Sequence, residues 1–391
     1  MSNSATSFTK ARRKSKGCFS AALLLTVFLS VWIGYISRLT TQNERACGAT
    51  ADAESESPLQ RVLDEYSKER GGVGLQATVI LPDGTPWKAA AGLASREKKC
   101  PASTEHHFGI GSVTKLYTAT LVMRQVEAGT ISLDDPISKW LDLPYAEQVT
   151  VRMLLNHTSG IPDYTSDAGF LIRYVGLPEK SWKPNELFRV IKNKPLQFEP
   201  GLRHEYSNSN FLLLGIILEQ TSGKTYAALL QEMMDELGLR DTFYLEYPDD
   251  ILIANAYDED LLHLGARNLT GLRLSLHSGA FSAGGIVSTS KDVARFTRAL
   301  FTGEILSDES LAQMTTFVPA PDADAPERLG YGLGVRQMVI DGKSFVGHTG
   351  AIPGYSGFTV FGVDDEVTLT ILSNLSVMEQ ERLLAEMVGQ N

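Results

Sequence analysis

The sequence predicts an α+β fold: an antiparallel β-sheet flanked by N- and C-terminal helices, with a mostly helical region inserted at about 113–280. Three observations predict it. Strand-like runs joined by tight-turn residues lie near both ends of the chain. Helical spacing dominates the stretch between them. The chain has 391 residues and is 43% apolar, enough to fill a large core.

Taken in order, Leu59, Val62, Leu63 and Tyr66 line one face of a first helix. Residues 76–81 and 87–93 read as strands, joined by the turn Pro82-Asp83-Gly84. From Ser112 onward, Leu116, Leu121, Val122 and Val126 follow helical spacing until Gly129. Residues 211–220 and 226–237 read as further helices, the first stopped near Gly223. Strands return at 332–340 and 344–349 around Asp341-Gly342, and at 357–363 and 367–373 around Asp364-Asp365. Leu383, Leu384 and Met387 mark a closing helix. Residues 57–391 are thus expected to form the main domain.

The N-terminus reads differently. Residues 1–16 carry Lys10, Arg12, Arg13, Lys14 and Lys16, and residues 17–37 are uncharged and apolar. About 20 apolar residues span a bilayer. The expectation is therefore a single-pass signal anchor at 17–37, with a basic cytoplasmic tail at 1–16 and a polar tether at 38–56. The domain would lie outside the cytoplasm at the cell membrane. The alternative is a secreted protein with a cleaved signal peptide.

The net charge is −10, but residues 1–50 hold seven Lys/Arg and one acid, leaving 29 bases against 45 acids beyond them. Such an acidic body argues against nucleic acid as a partner. Of the three cysteines, Cys47 and Cys100 are either a disulfide pair or two unpaired thiols. His106-His107 point apart, and no cysteine or histidine spacing suggests a metal. No cofactor is called for, and the oligomeric state is not legible.

The chemistry centres on Ser112-Val113-Thr114-Lys115. The chain contains four S-x-x-K matches, at Ser7, Ser95, Ser112 and Ser288. Only Ser112 follows a Gly-rich turn, Phe108-Gly109-Ile110-Gly111, and opens a helix. There the helix dipole favours negative charge, and Lys115 shares the face of Ser112. A desolvated lysine amine can act as a base toward such a hydroxyl. Two later segments add functional groups: Tyr206-Ser207-Asn208 brings a phenol and an amide, and His348-Thr349-Gly350 a Gly-terminated strand. Taken separately, Tyr206 reads as a helix-start aromatic, His348 as a core histidine and Arg336 as a surface arginine. His157 and Ser159 read as structural.

Together, S-x-x-K, Tyr-x-Asn and His-Thr-Gly resemble the motif set of the penicillin-recognising serine hydrolases. The branch is that of class C β-lactamases, R61-type D-Ala-D-Ala carboxypeptidases, D-stereospecific aminopeptidases and related esterases. Residues 154–161, Pro200-Gly201, residues 282–285 with Asp292, and residues 330–334 match it too. The resemblance covers about residues 57–375. It implies a β-lactamase/transpeptidase-like fold and an acyl-enzyme at Ser112, with Lys115 and Tyr206 as its proton-transfer partners. It also implies an oxyanion hole from the N–H groups of Ser112 and Ala351. Asn208, His348, Thr349 and Gly350 would contact substrate, and Arg336 would hold a substrate carboxylate. His348 stands where many relatives carry lysine, which favours peptidase or esterase relatives over β-lactamases. The expected substrate is a small peptide, a β-lactam or an ester. The alternatives are β-lactamase activity, or a penicillin-binding sensor that acylates without turnover.

Overall fold

A computed structural model describes residues 45–48, 57–259, 267–322 and 324–389. Its centre is an eight-stranded antiparallel sheet. In chain order the strands are β1 (Leu75–Ile80), β2 (Pro86–Ala91), β3 (Val318–Pro319), β4 (Arg328–Tyr331), β5 (Arg336–Ile340), β6 (Lys343–Ile352), β7 (Tyr355–Gly362) and β8 (Thr368–Ser373). In space they run β3-β4-β5-β6-β7-β8-β1-β2. The sheet is built from both ends of the chain, because β1 pairs with β8 from Leu75↔Ser373 to Ile80↔Thr368.

Helices cover the sheet. On one side lie α1 (Pro58–Glu69), capped by the Ser57 hydroxyl, and the C-terminal α5 (Gln380–Val388). Val62, Leu63 and Tyr66 of α1 share a core with Leu383, Leu384 and Met387 of α5, as their apolar spacing predicts. Between the two sequence blocks that build the sheet run α2 (Thr114–Glu127), α3 (Asn208–Ser222) and α4 (Ser290–Phe301). Gly223 ends α3 in a left-handed conformation at φ 70°. The α2 and α3 helices are buried over most of their length, and their packing seats Ser112 between the helical region and the sheet.

Two expectations change. The basic tail 1–16 and the anchor 17–37 lie outside the described residues. Among the described residues no helix is long and apolar enough to cross a membrane. The longest, α3, has 15 residues, short of the roughly 20 a bilayer requires. The expected membrane attachment, with the cell-membrane localisation built on it, is corrected accordingly. Part of the expected tether is also not free. Arg45 accepts a hydrogen bond from Ile253 at 3.0 Å and pairs with Asp249 at 2.6 Å, and Cys47 forms a disulfide with Cys100.

Candidate active site

Ser112 lies in a 3-10 turn, Gly111–Val113, that leads directly into α2. Gly111 takes φ 51°, and a Cβ there would lie 2.7 Å from the backbone of Ala351. A Cβ on Gly350 would lie 2.2 Å from the Ile110 carbonyl oxygen. Glycine at both positions lets β6 press against the segment that carries the serine. Ser112 and Ala351 are thereby brought together, with Ala351 exposed and Ser112 half-buried. Gln380 of α5 ties β6 to β7, donating to the carbonyls of Gly350 on β6 and Gly357 on β7 at 3.1 and 2.9 Å.

Lys115 is completely buried. Its Nζ lies 3.1 Å from Ser112 Oγ, 2.8 Å from Asn208 Oδ1 and 2.8 Å from the Ala283 carbonyl oxygen. Desolvation holds its pKa well below the ordinary lysine value, Asp163 opposes the shift, and the Arg336 cation adds to it. A neutral amine has two N–H bonds and one lone pair. With Asn208 and Ala283 accepting the two N–H bonds, the lone pair is left for the Ser112 hydroxyl.

The Tyr206 hydroxyl is buried and has no hydrogen-bond partner of good geometry. Burial raises its pKa to about 12, against the pull of Arg336 and of the nearby Ser112 hydroxyl. Lys115 Nζ sits 4.8 Å from the centre of its ring. The resting side chain is a neutral phenol, not the phenolate that a base role requires.

His348 is fully buried and held neutral, chiefly by desolvation and next by Arg336. A directed chain of hydrogen bonds sets its tautomer. The Nδ1 of His157 accepts from the Ser207 N–H at 3.2 Å, so its proton is on Nε2 and is given to Tyr331 Oη at 3.3 Å. Tyr331 then donates to His348 Nε2 at 2.7 Å, and His348 Nδ1 donates to the Thr349 carbonyl at 2.5 Å. Both polar atoms of the His348 ring are thus occupied inside the protein. Thr349 lies beside it, 8% exposed.

Arg336 is not a surface residue. It opens β5 opposite Tyr331 and Gly347, and is 9% exposed. Its guanidinium lies 5.2 Å from the ring centre of Tyr206 and 5.3 Å from that of Tyr331. Its Nε has no partner, and no carboxylate among the described residues pairs with it.

The remaining S-x-x-K serines fall elsewhere. Ser95 Oγ bonds Glu97, and Ser288, in the strand Ile286–Ser288, bonds the Thr242 hydroxyl through its own. Ser7 is outside the described residues.

Sequence reasoning missed Asp163. Its Oδ2 accepts from the Asn208 N–H at 3.1 Å and from Asn208 Nδ2 at 2.9 Å, and its Oδ1 accepts from the Thr165 N–H and hydroxyl, both at 2.8 Å. No motif marks this loop carboxylate. Ala283 was visible only as part of a matching segment, because a carbonyl ligand has no side-chain signature.

The fold is that of the β-lactamase/transpeptidase-like superfamily of serine hydrolases. A family model described as Beta-lactamase matches residues 59–389, and the chain belongs to that family. It is 29% identical over 296 residues to a penicillin-binding protein of Bacillus subtilis (strain 168). That match covers 72% of this chain and 64% of the Bacillus protein, less than two thirds of its length. It is 28% identical over 349 residues to Esterase EstB of Burkholderia gladioli, covering 80% of this chain and 88% of the esterase. Among solved structures, the D-amino acid amidase from Ochrobactrum anthropi SV3 superposes with a TM-score of 0.77 at 29% identity. That superposition covers 85% of this chain and 97% of the amidase.

Proposed function

We propose that the protein forms an acyl-enzyme at Ser112 and hydrolyses amides or esters, acting as a D-alanyl-D-alanine carboxypeptidase-like peptidase or esterase. One observation carries this reading: the buried Lys115 amine, held by two internal acceptors, 3.1 Å from the Ser112 hydroxyl. Ser112 Oγ attacks the carbonyl carbon as its proton passes to Lys115 Nζ. The oxygen that gains charge is held by the N–H groups of Ser112 and Ala351. Tyr206, a phenol in the resting site, gives its proton to the leaving group and regains one from Lys115. The C–N or C–O bond breaks, leaving the Ser112 ester. Water then attacks that ester; its proton passes through Tyr206 and Lys115 to Ser112 Oγ as the bond between Oγ and the acyl carbon breaks, which frees the acid and restores the serine.

Arg336 supports a substrate with a carboxylate beside the scissile bond. An unpaired, nearly buried guanidinium is costly to the fold and is relieved by an anion. His348, neutral and internally bonded, supplies no second cation, which weighs against the β-lactamase reading. A second reading, hydrolysis of short esters or D-amino-acid amides without a carboxylate, is favoured by the likeness to an esterase and a D-amino acid amidase. The Cys47–Cys100 disulfide supports an oxidising surrounding for the domain.

The test is a substrate panel: a labelled β-lactam, D-alanyl peptides with free carboxylates, D-amino-acid amides and short esters. Hydrolysis is followed by product formation and the adduct by intact mass. Turnover of D-alanyl peptides or esters, lost in Ser112→Ala, is expected. A stable β-lactam adduct with no turnover of any substrate would favour the sensor alternative and overturn the proposal.

A further inference from the structure

We infer that Asp163 is a positioning residue of this site: it fixes which end of the Asn208 amide meets Lys115 and places a negative charge behind that amide. The inference rests on the reading of Lys115 as the base. The two ends of an asparagine amide are nearly equal in shape and opposite in hydrogen bonding. With the nitrogen toward Lys115, the amide would offer donors to a donor. With the oxygen there, it accepts an N–H and leaves the lysine lone pair for Ser112.

Asp163 makes that choice. An ionised carboxylate only accepts, so only the Asn208 nitrogen can face it, and that nitrogen lies 2.9 Å from Oδ2. The Thr165 hydroxyl lies 3.3 Å from the same nitrogen. Asp163 is itself held in place. Both its oxygens are engaged by backbone N–H groups, from Asn208 at 3.1 Å and from Thr165 at 2.8 Å. The carboxylate therefore ties the start of α3, where Asn208 sits, to the turn Tyr164–Ser166.

The charge has a second consequence. The groups that face Lys115 from the packed elements are Ser112 on its own turn, Tyr206 and Asn208 before and at the start of α3, and Arg336 on β5. His157 and His348 are near and neutral. Among the charged groups of the described residues that act on Lys115, Asp163 favours its protonated form and Arg336 opposes it. Asp163 thus works against the desolvation that disfavours the protonated amine.

Two variants separate charge from position. Asp163→Asn removes the charge. The acid limb of kcat/KM on an uncharged ester should move to lower pH by about one unit, the size typical of a lost opposite charge. The rate on the plateau should fall about tenfold to a hundredfold, since Asn208 is no longer locked. Asp163→Glu keeps the charge but displaces it. The rate should fall by a similar factor while the acid limb stays in place. A residue that only stiffened the loop would lower the rate in both and move the limb in neither. Thermal unfolding checks each variant, and if Asp163→Asn fails to fold, the uncharged Asp163→Ser, whose hydroxyl can still accept from Asn208, reads the acid limb in its place. A folded Asp163→Asn enzyme with the wild-type limb overturns the inference, as does a folded Asp163→Glu enzyme with wild-type kcat/KM. Ser112→Ala in the same series isolates the underlying reading. If that variant keeps turnover, the reading of Ser112 fails. If it is inactive while the Asp163 variants match wild type, the Asp163 inference alone fails.

Discussion

Replacing Arg336 by methionine keeps the length of the side chain and removes a cation that no carboxylate among the described residues balances. Two opposite effects should follow. A nearly buried charge without a counter-ion costs several kcal/mol. Its contacts with the rings of Tyr206 and Tyr331 offset about 1–2 kcal/mol each. Folding stability should therefore stay level or rise by about 1 kcal/mol. Substrate recognition should move the other way. A carboxylate about 4 Å from the guanidinium interacts with about 4 kcal/mol at an effective dielectric constant near 20. After desolvation, a charge-assisted hydrogen bond retains about 1.5–3 kcal/mol, which is about 10- to 150-fold in kcat/KM. The assay compares a D-alanyl peptide bearing a free carboxylate with its methyl ester, using wild type and Arg336→Met. The ratio of the two kcat/KM values should fall by that factor in the variant. Because Arg336 depresses the Lys115 pKa, the acid limb should also rise. An unchanged ratio in a folded variant would refute the carboxylate role. A large loss of thermal stability would refute the claim that the cation lacks a partner.

Two further predictions concern the proton path of the site and the buried histidines, among them His277 of the helix Arg273–Ala280. Lys115→Ala and Tyr206→Phe should each lower kcat by about 10²–10⁴-fold, with the double variant little worse than the poorer single one, because one proton path serves both; multiplicative losses in steady-state kinetics would dissolve the unit. Acid should unfold the protein through its buried histidines. Desolvation holds His157 and His348 well below 6.5 and His277 at about 4, so as pH falls from 6.5 the unfolded chain takes up protons first. The stability present above pH 6.5 should then be lost toward pH 4, on the order of 3 kcal/mol from His277 alone, and urea unfolding between pH 4 and 8 would contradict this by staying flat.

What the sequence made legible was mostly local. Val62, Leu63 and Tyr66 mark α1 because a helix face repeats within one turn. Asp341-Gly342 marks the β5–β6 hairpin because that turn needs positive φ, and both residues have it, at 50° and 77°. The pairing of β1 with β8 joins residues almost 300 positions apart, and no local pattern announces it. Two-residue strands such as Phe108–Gly109 are too short to show alternation. Within the site, the motif serine and lysine could be named because they share one helical turn. Arg336 could not be assigned by sequence pattern, because its burial depends on the register of β5 against β4 and on an irregularity between Arg328 and Gly330. The charge of His348 was equally hidden, since it depends on Tyr331 reaching it from another strand. Asp163 acts through Asn208, so it belongs to no motif at all.

The central claim is a covalent ester on Ser112. The most direct measurement is intact mass with peptide mapping after a brief, acid-quenched reaction with a p-nitrophenyl ester or a labelled β-lactam, on wild type and Ser112→Ala. The predicted result is a single acyl adduct on the peptide containing Ser112, absent from the variant. An adduct on another serine that persists in Ser112→Ala, or full turnover by that variant, would contradict it.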